Sequence, residues 1–169
     1  LLRIHSCGII HGDIQCGNII YLREEKDFKI TFIDFGLANR IGEPANVDFL
    51  DIKYLAPERA LETQLPAHPL QDIYTLGKLV TSMLDQLKPN TRMKLLSHYP
   101  SIELFIKNAS NITPNKRPDL VNFIHDLAME ILSIESKTKN DFYSDLLIAS
   151  FTQNNRLTDI VTTADKQQQ

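Results

Sequence analysis

The apolar positions of this chain change their period along its length. At the front they fall in short runs rich in β-branched and aromatic residues: Gly8-Ile-Ile-His11, Asn18-Ile-Ile-Tyr-Leu22 and Lys29-Ile-Thr-Phe-Ile33. Runs of this kind predict strands. The last two flank the charged stretch Arg23-Glu-Glu-Lys-Asp27, which predicts a hairpin with a solvated tip. Ahead of them, Leu1 and Leu2 together with His5 read as the last turn of a helix, stopped by Gly8. The chain opens without Met and lacks the apolar core and cleavage site of a signal peptide, so it reads as a fragment of a longer protein.

From Pro57 onward the pattern turns helical. Between Leu70 and Leu87, the residues Ile73, Leu76, Leu79, Val80, Met83, Leu84 and Leu87 recur at steps of three and four. That spacing predicts a well-buried helix, closed by Pro89 and Asn90. Shorter helices are expected at 92–97 and 101–110. A longer one is expected from Arg117 to Ser133, with Leu120, Phe123, Ile124, Leu127 and Ile131 on one face. The turn Asn111-Ile-Thr-Pro-Asn-Lys-Arg-Pro118 leads into it. After Glu135 the composition becomes polar; a last amphipathic stretch, Phe142 to Phe151, is read as a helix, and Thr162 to Gln169 as disordered. The fold class is α+β, a small β element at the front of a mainly helical body.

Composition narrows the function. With 43% apolar and 23% charged residues in 169, the chain is that of a soluble globular protein. A net charge of −3 supplies no broad basic field, so nucleic acid is not an expected partner. Its apolar runs are far shorter than the ~20 residues a membrane span needs. Two cysteines, Cys7 and Cys16, rule out a disulfide scaffold and favour an intracellular, cytoplasmic location. Cys7 shows no metal spacing with Cys16, and His68, His98 and His125 stand isolated as surface or helix residues.

The chemistry concentrates in Ile10-His-Gly-Asp-Ile-Gln-Cys-Gly-Asn-Ile-Ile20 and Phe32-Ile-Asp-Phe-Gly36. Asp13 and Asn18 lie on one loop between strands, and Asp34 follows the next strand. A hairpin would set Asn18 beside Asp34 at its base. A carboxylate and an amide oxygen are hard ligands suited to Mg²⁺, which takes its other ligands from water and substrate phosphates. Asp13 on the same loop is placed to accept a hydrogen bond from an attacking hydroxyl. Phosphoryl transfer asks for this combination of metal and oriented nucleophile.

These stretches resemble the C-terminal lobe of the eukaryotic-type protein kinase family. His11-Gly-Asp13 is similar to the catalytic-loop signature, Asn18 to its metal-binding Asn, and Asp34-Phe-Gly36 to the metal-binding triplet. Three more signatures follow in order: Tyr54-Leu-Ala-Pro-Glu58, Asp72-Ile-Tyr-Thr-Leu-Gly77 and Lys116-Arg-Pro118. The resemblance covers about residues 1–132, leaving 133–169 as a polar C-terminal extension, partly helical and then disordered. It implies transfer of the γ-phosphate of ATP to a hydroxyl of a protein substrate, of the Ser/Thr type. It implies Asp13 and Gln15 as catalytic residues, Asn18 and Asp34 as Mg²⁺ ligands, and Ile20, with Leu79 and Met83, at the adenine floor. It also implies Asp72 as a support of the catalytic loop, Glu58 paired with Arg117, and His11 with Phe35 in a column of apolar contacts.

Several positions depart from the family pattern. Gly12 stands where the signature has Arg, and between Asp34 and Glu58 there is no Ser or Thr, only Tyr54. The usual phosphate receiver and phosphosites are therefore absent together, and the segment is expected not to be switched by Ser/Thr phosphorylation. Gln15 replaces the Lys that touches the transferred phosphate, and Asp51 replaces its Thr partner. The interval from Asp72 to Arg117 is short, which reduces the substrate-docking helix to about 90–97. The N-terminal lobe, with its Gly-rich loop and strand Lys, would lie upstream of Leu1, so the isolated chain is expected to be weakly active or inactive. Two other readings stay open: a small-molecule kinase of the aminoglycoside or choline phosphotransferase type, which the first forty residues resemble as well, and a pseudokinase-like binding module.

Overall fold

A computed structural model describes residues 1–23, 28–44, 55–61 and 65–135. Asp51, Tyr54, the hairpin tip at 24–27, the stretch Phe142 to Phe151 and the tail Thr162 to Gln169 lie outside the described residues. The front of the chain carries the expected opening turn, α1 (Leu2–Ser6), and a first short strand, β1 (Ile9–Ile10). The predicted hairpin forms from β2 (Ile19–Arg23) and β3 (Phe28–Phe32), antiparallel, with Ile19 opposite Phe32 and Arg23 opposite Phe28. One more bond, Ile33 N donating to Asn18 O at 2.9 Å, carries the pairing to the base of the hairpin.

β1 pairs with a strand that the apolar pattern does not announce, β4 (Asn39–Arg40), Ile9 lying opposite Arg40. Asn and Arg carry no strand propensity, and only the partner strand makes this segment extended. The stitching continues beyond it. Ile41 N donates to Gly8 O (2.8 Å), Gly42 N to Ala67 O (2.9 Å) and Ala67 N to Glu43 O (2.8 Å). Ile10 and Ala67, both buried, pack together beneath these bonds.

The helical body begins with α2 (Pro57–Leu61) and the long α3 (Pro69–Asp85). The start of α3 is specified by a reciprocal cap, in which His68 Nδ1 accepts from Leu70 N and Gln71 Oε1 accepts from His68 N, each at 3.2 Å. Pro69 at its first position needs no N–H partner. Its buried face includes Ile73, Leu79 and Leu84, as the periodicity predicts. Met83 of the same stripe is 53% exposed.

α4 (Pro89–His98) and α5 (Pro100–Ala109) follow, each begun by a proline. α3 and α5 meet at Gly77, where a Cβ would come within 2.6 Å of the Ala109 Cβ and 3.3 Å of Ser110 Oγ. Gly77→Ala should therefore destabilise the chain by about 1 kcal/mol, because overpacking of 1–3 kcal/mol outweighs the gain in helix propensity. A thermal melt checks it, and Ala109→Gly in the same chain should restore part of the loss.

The chain divides into two compact units, the first spanning Leu1–Leu120 and the second beginning at Val121. The last described helix, α6 (Leu120–Glu135), starts three residues later than the apolar pattern suggests. Pro118 is the reason: it disfavours helical geometry in the residue before it, and Arg117 is extended at φ −74°, ψ 148°. No helix among the described residues is long and apolar enough to cross a membrane.

Candidate active site

The loop between β1 and β2 is held from below by one carboxylate. Asp72, on the first turn of α3, is 1% exposed. Its Oδ2 accepts from His11 N and His5 Nε2, both at 2.8 Å, and its Oδ1 accepts from Gly12 N at 2.9 Å. Three donors replace the water that a buried carboxylate gives up. His11 is itself fully buried and ties the loop to the end of β3. Its Nδ1 accepts from Asp13 N at 3.3 Å, which leaves Nε2 to donate to Ile33 O at 3.1 Å. Its ring lies 5.6 Å from that of Phe32 and 4.9 Å from that of Phe35.

On this platform the structure brings Asp13, Gln15 and Asn18 into direct contact. Asn18 Nδ2 donates to Asp13 Oδ2 at 2.7 Å and to Asp13 O at 3.0 Å. Gln15 Nε2 donates to both Asp13 carboxylate oxygens, at 3.0 and 2.9 Å. An ionised carboxylate offers about four acceptor positions. The two amides occupy three of them and leave room for one further donor. Gln15 is thus turned onto Asp13.

With its amide nitrogen committed to Asp13, Asn18 keeps its side-chain oxygen as the acceptor end of the amide. The backbone bond between Asn18 O and Ile33 N sets this residue beside the turn that carries Asp34. Asp34 has φ +61°, the one positive φ of a non-glycine residue among those described. Side chains rarely take this conformation without local support, and outliers of this kind gather at functional sites. Gly36 N supplies the support, donating to Asp34 Oδ1 at 3.1 Å. One amide oxygen and one carboxylate are hard donors of the sort Mg²⁺ takes in small number. Among the described residues no three His, Cys, Asp or Glu side chains form a group that could hold a metal ion. Ile20, on β2, is 40% exposed, whereas Leu79 of α3 is buried.

A sequence profile of the protein kinase domain matches residues 1–166 of the chain. The chain belongs to that family. Among curated proteins it is similar to the serine/threonine-protein kinase pakE of Dictyostelium discoideum, 26% identical over 97% of this chain and 17% of that protein. It is also similar to the mitogen-activated protein kinase mpkC of Emericella nidulans, 38% identical over 50% of this chain and 19% of the other. A calcium and calcium/calmodulin-dependent serine/threonine-protein kinase of Lotus japonicus is 26% identical over 70% of this chain and 26% of the other. The chain thus spans about a fifth of the length of the first relatives it matches.

In this kinase domain Glu58 and Arg117 form a bidentate pair, with both nitrogen–oxygen distances at 2.6 Å. Arg117 also donates to Leu70 O (2.8 Å) and Asn111 O (2.9 Å) and lies 4.9 Å from the Tyr74 ring centroid. Two residues of the site escape the sequence reading. His5 reaches Asp72 from α1, and the kinase domain buries Arg59, one residue after Glu58, next to Gly12. Neither had a spacing signal, because each meets its neighbour across a long loop of chain.

Proposed function

We propose that this chain forms the C-terminal lobe of an ATP-dependent protein kinase, with residues 1–132 as the lobe and 133–169 as an extension. The reaction is transfer of the γ-phosphate of ATP to a protein hydroxyl, of the Ser/Thr type that the names of its relatives carry. The observation that supports it best is the contact of Asp13 with Asn18 at 2.7 Å, on a loop whose end is paired to the residue before Asp34. Asp13 accepts the hydrogen bond of the acceptor hydroxyl at its remaining lone pair, which orients the oxygen for in-line attack. Asn18 and Asp34 would hold Mg²⁺, which when bound would neutralise charge on the transferred phosphate. Asn18 does double duty, since the same amide keeps Asp13 in one rotamer.

Gln15 enters the reaction at a disadvantage. It reaches a transferred phosphate only by giving up its two bonds to Asp13, and it brings no charge when it does. Loss of one preorganised electrostatic partner costs about 3 kcal/mol in a transition state. A slow enzyme is the expected consequence.

The test is phosphate transfer by the full-length gene product with Mg-ATP against protein, peptide, aminoglycoside and choline acceptors. Protein acceptors should be labelled, and Asp34→Asn should lower the rate by roughly 10²-fold or more. Labelling of a small molecule alone would move the chain to the small-molecule phosphotransferases. No nucleotide-induced thermal shift, with Asp34→Asn behaving like the parent, would make it a binding module.

A further inference from the structure

The catalytic loop has no side chain at position 12, and the surroundings leave no place for one. Gly12 has φ +80°, and a Cβ there would lie 2.3 Å from Leu37 O and 3.6 Å from a terminal guanidinium nitrogen of Arg59. The backbone of residue 37 closes one side of this position, and Arg59 fills the other. Arg59 belongs to α2 and is 3% exposed. Burial lowers its pKa below the usual arginine value, a drop that the charges of Asp72 and then Glu58 oppose only in part. A guanidinium keeps its proton under such opposing influences. A buried cation of this kind requires a compensating anion nearby. The charge of Asp72 contributes most to that compensation, ahead of Glu58, and Asp72 is also the carboxylate that receives the N–H groups of His11 and Gly12.

We propose that Arg59 is a positioning residue, whose guanidinium packs on Gly12 within the field of Asp72 and holds the loop bearing Asp13 in place without a phosphate on the segment from Asp34 to Glu58. That segment contains no Ser or Thr to receive one. Its start is already tied by backbone, through Ile41 N to Gly8 O and through the two bonds between 42–43 and Ala67. The cation arrives from α2 because the loop cannot carry it: Gly12 is committed to a left-handed conformation against residue 37. The consequence for catalysis rests on the kinase reading, whereas the placement of the loop does not.

The experiment is hydrogen exchange on the full-length gene product and two variants, Arg59→Met, which keeps the apolar stem, and Arg59→Lys, which keeps the charge. In Arg59→Met the amides of His11 and Gly12 should exchange at least about tenfold faster, while those of α5 stay within about twofold of the parent. In Arg59→Lys the same two amides should stay within about threefold of the parent. Parent-like exchange of His11 and Gly12 in Arg59→Met would overturn the proposal. A rise shared equally by α5 would overturn it too, since Arg59 would then be a general stabiliser. An Arg59→Lys variant as loose as Arg59→Met would refute the role of charge. Phosphate transfer is measured alongside: kcat should fall in Arg59→Met with the KM for ATP unchanged. A parent that transfers no phosphate to any acceptor would remove the kinase reading, and the exchange comparison would still decide the role of Arg59.

Discussion

Replacing Asp13 by Ala should lower phosphate transfer by about 10²- to 10⁴-fold, the range over which a positioned acid or base contributes to a proton-transfer step. The site supplies the reason. Asp13 is the residue on which Gln15 and Asn18 converge, through four hydrogen bonds between 2.7 and 3.0 Å, one of them to its backbone oxygen. Its carboxylate retains one open acceptor position, so an incoming hydroxyl finds a single orientation. Alanine removes that position but leaves the Asn18 bond to the backbone oxygen of residue 13 intact. Asn18 should therefore stay in place, and ATP affinity should change by no more than a few-fold. Single-turnover transfer together with an ATP titration separates the two effects. A variant that keeps more than a tenth of the parent rate would show that the hydroxyl is oriented by some other group.

Stability should suffer most when Glu58 is replaced by Ala. Arg117 has a fully buried side chain, and Glu58 supplies its only carboxylate contact among the described residues. Removing one member of a buried pair leaves the other charge uncompensated, at a cost of about 3–5 kcal/mol. Against a total of roughly 5–15 kcal/mol for a folded domain, this is a large share. Leu70 O, Asn111 O and the Tyr74 ring remain around the guanidinium, but they are neutral dipoles. The double variant Glu58→Ala with Arg117→Met should recover much of the loss, since an apolar side chain of similar length removes the stranded charge. Urea unfolding midpoints of parent, single and double variants provide the check. A single variant within 1 kcal/mol of the parent would mean that water reaches Arg117 despite its burial.

The local elements were largely legible before the structure. The hairpin, the long helix from Pro69 and the two short helices behind it arise where the apolar period is clear. Pro89 and Asn90, expected to close the long helix, instead open the next one, the long helix having ended at Asp85. Apolar periodicity places the start of the last helix three residues early, because it cannot register what Pro118 does to the backbone of Arg117. β4 leaves no signal in the apolar pattern because Asn39 and Arg40 are extended only through their pairing with Ile9 and Ile10.

The candidate site divides along the same line. Asp13, Asn18 and Asp34 stand out as candidates from residue type and spacing, a carboxylate, an amide and a carboxylate on two neighbouring turns, and the proposed function rests on them. What the chain order could not reveal is which side chains restrain them. The family resemblance implies that Gln15 faces the transferred phosphate, yet its amide lies on Asp13. His5 bonds Asp72 across 67 residues, and Arg59 reaches Gly12 from α2, far from the loop in sequence. Residue identity and local period determined most of the elements and singled out the candidate site residues, because those depend on the chain within a few residues. The tertiary structure alone decided which buried charges compensate one another, because that depends on distance through space, to which sequence separation is no guide.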